Sequence, residues 1–204
     1  MMVDLVPETE TLSQSDDLLD RYQGRLEQKE FCKHHFLANF QEISPHLFTF
    51  YAQDPQRGLT CSFPLDIQNV CLQDGLSYED HCLVPMVVCN FPRIDGQALY
   101  EKNLENECLQ GMMLVRFHLS ILESLFLFCD TQGAEGLVLT VDDTALSALD
   151  VFQPFLLSER QVTTEKENHV QAIISTNLEA YDELMDLIDK IDQDFRQVLW
   201  CDQV

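Results

Sequence analysis

Positive charge is what this sequence has least of: 12 Lys and Arg stand against 35 Asp and Glu, a formal net charge of -23 on 204 residues. A surface of that sign repels polyphosphates, nucleic acid and anionic membrane unless a local basic patch intervenes. Basic or aggregation-prone proteins are the favoured partners, and neither nucleic-acid binding nor membrane insertion is expected. Catalytic signatures are lacking too, since there is no G-x-S-x-G, no GxxxxGK followed by Ser or Thr, and no H-E-x-x-H. The eight cysteines contain no CxxC pair and are spread through apolar stretches, where a free thiol behaves as a small buried hydrophobe. Met1 to Asp17 carries five acids and no base, so it has neither the positive start nor the apolar run of a signal peptide. The most apolar stretch, Gly111 to Cys129, is interrupted by Arg116, His118 and Glu123 and is short for a bilayer span of about 20 residues. Together these absences predict a soluble, cytoplasmic protein with reduced cysteines.

What is present argues for a packed fold. Apolar residues make up 46% of the chain and 13 of them are Phe, whereas disorder needs low hydrophobicity as well as high charge. At 23.5 kDa there is material for one full core. The expected organisation is a flexible acidic lead-in over 1–15 and one globular domain over 16–204, with no internal repeat.

Periodicity supplies the elements. Leu18, Leu19, Tyr22 and Leu26 recur at helical spacing, and Phe36, Leu37 and Phe40 resume it until Pro45, which predicts one helix or a broken pair. Leu47 to Tyr51 and Leu59 to Phe63 read as strands around the turn Asp54-Pro55-Gln56-Arg57-Gly58. Cys82 to Cys89 reads as a further strand, placed at an edge or bulged by Pro85. Leu99 to Phe128 steps by threes and fours through Leu104, Cys108, Met112, Val115, Leu119, Leu122, Leu125 and Phe128, the pattern of a long buried helix. A short strand at Leu137 to Val141, a helical segment near 143–156 and a strand at His169 to Ile174 follow. Thr176 and Glu179 have capping-box spacing at the start of a closing helix, where Tyr181, Met185, Ile188, Ile191, Phe195 and Val198 form one stripe opposite Asp182, Asp186, Asp189 and Asp192. The fold class expected is α/β (α+β): an antiparallel-rich sheet with an N-terminal helix, a long central helix and a C-terminal amphipathic helix.

Metal chemistry finds little support. Cys32 and His35 stand three apart and could face one ligand together, but structural zinc takes four ligands, so no metal is assigned. The acids of 182–194 repeat at helical spacing rather than around a glycine, the pattern of a solvated helix face rather than of a calcium loop.

Two families are resembled. The segment Gln132 to Val141, followed by Ala145, Ala148, Leu149 and Phe152, is similar to a strand and following helix of N-acetyltransferases of the GNAT type. Arg93-Ile94-Asp95-Gly96-Gln97-Ala98 matches the R-x-x-G-x-A pattern with which that family holds the pyrophosphate of acetyl-CoA at a helix N-terminus. About 40 residues separate Ala98 from Leu137, whereas the resemblance implies a single short helix between them, for which roughly 15 to 20 would suffice at 1.5 Å per residue. The net charge also opposes coenzyme A.

The broader resemblance is to class I type III secretion chaperones of bacteria, through the order helix, three strands, long helix, two strands, helix. It is carried by Val84 to Phe91, Pro92, Gly96 to Asn106 and the closing segment Asn177 to Trp200. It implies a non-enzymatic homodimer without cofactor, part of a virulence system, that keeps a secreted effector extended and secretion-competent. Phe36, Leu37, Phe40, Phe48, Phe50 and Phe63 are then the residues assigned to the effector groove, although the interior is the commoner fate of an aromatic stripe. Leu104, Met112 and Leu119 on the central helix are assigned to the dimer interface. The leading expectation is this chaperone-like protein, not an enzyme; an acetyl-CoA-dependent acyltransferase of GNAT type is the alternative, and an acidic immunity or inhibitor protein for a basic partner a further one.

Overall fold

Strict alternation in Leu47-Phe48-Thr49-Phe50-Tyr51-Ala52-Gln53-Asp54 buries the even positions and exposes most of the odd ones, the signature of a strand with one covered face. The computed structural model describes residues 36–72, 82–94, 107–142, 150–163 and 168–201, all within a unit that runs from His35 to Val204. The lead-in, the helix expected around Leu18 to Leu26 and the Cys32–His35 pair lie outside the described residues.

Seven strands form one sheet in the order β1-β2-β3-β4-β5-β7-β6. They are β1 (Leu37–Ser44), β2 (Leu47–Asp54), β3 (Leu59–Leu72), β4 (Cys82–Phe91), β5 (Gly136–Asp142), β6 (Leu156–Thr163) and β7 (Asn168–Ser175). The first four form an antiparallel meander. Between β4 and β5 runs α1 (Glu107–Gln132), and β5 returns parallel to β4, with Met86 opposite Gly136 and Phe91 opposite Val141. A parallel return needs such a crossover helix. The closing helix is α2 (Leu178–Cys201). The α/β class is therefore as expected.

Local chemistry explains the turns. Asp54 ends β2 by accepting from the backbone N–H groups of Arg57 and Gly58 at its carbonyl. Its carboxylate takes the Arg57 N–H at 3.1 Å and the Arg57 guanidinium at 2.7 Å. Gly58 has φ 71° and Gly133, after α1, φ 66°, a conformation most side chains resist.

Several local expectations are corrected. Residues 37–44 form a strand, not a helix: a spacing of four, as between Phe36 and Phe40, is also a multiple of two and so satisfies either period. Pro85 lies in an interior strand rather than at an edge or in a bulge. Its carbonyl accepts from the Glu135 N–H, and the ladder to β5 begins one residue later, so its missing donor falls beyond the end of that ladder. The α2 N-cap is Asn177 rather than Thr176, its side-chain oxygen accepting from the Ala180 N–H at 2.9 Å. Strand β6 is additional to the elements read from the sequence. Of the segment 143–156, residues 150–152 are helical and continue into one 3-10 turn, Gln153–Phe155.

Helix α1 lies across the sheet face that carries Phe48, Phe50 and Phe63. Phe128 stacks on Phe40 at 4.4 Å and meets Phe48 edge-on at 5.0 Å, and Phe117 meets Phe36. Leu109–Gln132 has the length and hydropathy to cross a membrane. Its residues Phe117, Leu119, Ile121, Leu122 and Leu125 are instead fully buried, as in the core helix of a globular fold. Helix α2 runs antiparallel beside α1, with the Arg116 guanidinium 2.9 Å from Asp192 and Phe126 facing Tyr181. Arg57 lies over the Phe195 ring, tying the β2–β3 turn to α2.

Candidate functional site

Cross-strand partners share a sheet face. At the end of the sheet where β1 starts and β4 stops, three rows cross β1, β2 and β3. They are Leu37–Gln53–Thr60, Ala38–Ala52–Cys61 and Asn39–Tyr51–Ser62. The middle row shares the face of Phe50 and Phe63, under α1. The outer two rows turn the opposite way, and all six of their side chains are exposed. Together with Pro92 and Arg93 these rows line a groove of about 710 Å³, within the few hundred to about 1,000 Å³ of small-molecule sites.

Its electrostatics differ from those of the whole chain. In a protein of net charge -23, the described lining contains no carboxylate and one cation, Arg93. Arg93 is exposed and stands two residues past the end of β4, so a guanidinium lies where the groove meets the end of the strand.

Three buried thiols and one imidazole are shifted toward their neutral forms. Burial pushes the Cys61 thiol up to about 12 despite a backbone hydrogen bond with Ala52, so it is protonated at neutral pH. Cys129 is likewise pushed up to about 12, and Cys89 is raised further in the same direction, both by burial. His118 is lowered by burial, which outweighs its hydrogen bond with the Leu114 carbonyl; it packs between Phe91 and Phe152 as a core side chain. Among the described residues no group of three His, Cys, Asp or Glu converges on a metal position.

The residues assigned from the sequence separate. Phe48, Phe50 and Phe63 are buried in the core, while Phe36 and Phe40 are partly buried against Phe117 and Phe128. Leu37 alone of the six lines the groove. On α1, Leu119 is fully buried within this chain, Met112 is partly buried and Leu104 lies outside the described residues. Sequence reasoning reached Arg93 through its pattern but not Asn39, Tyr51, Gln53, Thr60 or Ser62. For all but Asn39, which lies in β1, the signal was available in β2 and β3, as polar residues and Tyr51 alternating with buried ones.

No protein-family model matches the chain, and no curated protein does. Among solved structures it is similar to the CoA-dependent acyl-homoserine lactone synthase BjaI with MTA, at 11% identity and a TM-score of 0.42, over 72% of this chain and 66% of that one, just under two thirds of its length. The same synthase with SAM and isopentyl-CoA matches at 12% identity and 0.40, over 72% and 69%. A GnaT-family acetyltransferase from Bordetella pertussis matches at 12% and 0.29, over 63% and 66%. None of these is a secretion chaperone, and the expectation of a non-enzymatic, type III chaperone-like protein is corrected. Its element order had counted neither β1 nor β6; the described order is four strands, helix, three strands, helix.

Proposed function

We propose that the protein is an acyltransferase of GNAT type that takes its acyl group from acyl-CoA. The observation that carries this reading is the position of Arg93, first residue of the R-x-x-G-x-A pattern. It stands two residues past β4, between that strand and a helix whose far end returns a parallel strand. One crossover helix, α1, does stand between Ala98 and Leu137 as the resemblance implies, although at 26 residues it is longer than the short helix expected there. The objection from charge weakens locally, since the described groove lining offers a guanidinium and no carboxylate to a phosphate.

In the transfer, the acceptor's nitrogen or oxygen attacks the thioester carbonyl, the carbon–sulfur bond breaks, and coenzyme A leaves as a thiol with the proton the acceptor gives up. The chain's contribution on this reading is to hold both partners at the end of β4 and so convert an encounter into an oriented reaction. Cys61, with its raised pKa, is no nucleophile for a covalent acyl-enzyme. The free thiols Cys61, Cys89 and Cys129 suit the reducing cytoplasm as its place of action.

Calorimetric titration with acetyl-CoA tests the reading. Saturable binding is expected, weakened about tenfold or more by Arg93→Glu and abolished by Gly96→Asp, a substitution within the same sequence pattern at a position outside the described residues. A wild-type protein that takes up no acetyl-CoA overturns it.

A further inference from the structure

The floor of the groove has a composition that selects its ligand. Asn39 and Gln53 each present two N–H donors and a carbonyl acceptor, Thr60 and Ser62 a hydroxyl each, and Tyr51 a phenol on an aromatic ring. Beside them Leu37 is 55% and Tyr51 43% exposed, so apolar contact area lies among the polar tips. A cationic ligand such as a polyamine would shed water here with no counter-charge among the described lining. A wholly apolar ligand would strip water from two amides and three hydroxyls and return no hydrogen bond. A ring with polar groups around its edge and a C–H face satisfies both halves of the surface. The rows are set two residues apart on strands about 4.8 Å from one another, so the polar tips surround such a ring rather than meeting at one point.

We propose that this groove is a sugar-binding site, in which a pyranose lays its C–H face on Tyr51 and Leu37 while its hydroxyls bond Asn39, Gln53, Thr60 and Ser62. The volume accommodates about one or two sugar rings. That the sugar is the acyl acceptor, through a hydroxyl or amine directed toward Arg93, rests on the acyltransferase reading; that it binds does not.

The test is saturation-transfer NMR and calorimetry on the full chain with the methyl pyranosides of glucose, galactose, mannose and N-acetylglucosamine, with spermidine as the cationic control. At least one pyranoside is expected to bind saturably, with spermidine silent. Tyr51→Ala and Asn39→Ala should each weaken that binding about tenfold while leaving the thermal midpoint in place, because both side chains are exposed. Absence of binding by all four pyranosides overturns the assignment. So does binding that survives Tyr51→Ala, or spermidine competing for the groove. Acetyl-CoA titrated in parallel separates the two ideas: a protein that binds the pyranoside but no acetyl-CoA keeps the sugar site and loses the acyltransferase, and the reverse result does the opposite.

Discussion

The meander β1–β3 and the parallel pair β4–β5 belong to one sheet but face different surroundings. At the groove end of the meander, among the described residues, one face is covered: Phe50 is fully buried while Tyr51, the next residue, is 43% exposed. In the pair both faces are covered. Leu137, Leu139 and Val141 are fully buried on the α1 side, and Val138 joins Val84 and Met86 in a second apolar cluster on the other. A strand covered twice becomes continuously apolar and can present nothing to a ligand, whereas a strand covered once keeps half its side chains for recognition. The candidate site lies at the one-sided end of the sheet for that reason.

The largest test of the contrast uses neighbours in β2. Phe50→Ala should lower stability by about 3–5 kcal/mol, whereas Tyr51→Ala should stay within about 0.5 kcal/mol, both read by denaturant titration. Similar losses at the two positions would mean that the groove face is covered after all. In the two-sided region, Gly136→Ala should cost about 1–3 kcal/mol by overpacking. A Cβ there would stand 2.5 Å from the Ile174 carbonyl oxygen and 2.9 Å from the Met86 methyl, and a neutral result would show that β5 and β7 can part. The smallest effect is chemical. Cys61 belongs to the groove end but turns toward α1, so maleimide at pH 8, followed by peptide mapping, should leave it and Cys129 unmodified in the native protein and label both after denaturation. Rapid native labelling of Cys61 would place its thiol on the ligand side.

The same contrast explains what could be read from the sequence. The hairpin around Asp54–Gly58, the long apolar helix, β5, β7 and the amphipathic stripe of α2 were all legible, because each carries a strong period or a turn residue under conformational demand. The two strands not recognised, β1 and β6, are the two edges of the sheet. An edge strand pairs on one side only, and such strands tolerate charged and polar residues like Glu159, Arg160 and Gln161, which blur the alternation. Of the candidate site, Arg93 was legible because its neighbours in sequence form a pattern. Tyr51, Asn39 and Gln53 were not, because they come together only through strand register, which a short window of sequence does not contain. The acyltransferase resemblance, the alternative reading, implies a shorter helix than α1, and the chaperone resemblance rests on an element order that lacks both edges.

The parallel return of β5 has a consequence for how the chain acquires its shape. Strands β1 to β4 pair with their neighbours in sequence, so their contacts are local and cheap in loop-closure entropy. Met86 pairs with Gly136 across the whole of α1, and β5 has β7 rather than β6 as its other partner. Non-local pairings of this kind are the slow part of folding. The end of β4 that carries Arg93 is therefore expected to gain its parallel partner after the meander beside it, and pulse-labelling hydrogen exchange should show β5 protected later than β2 and β3.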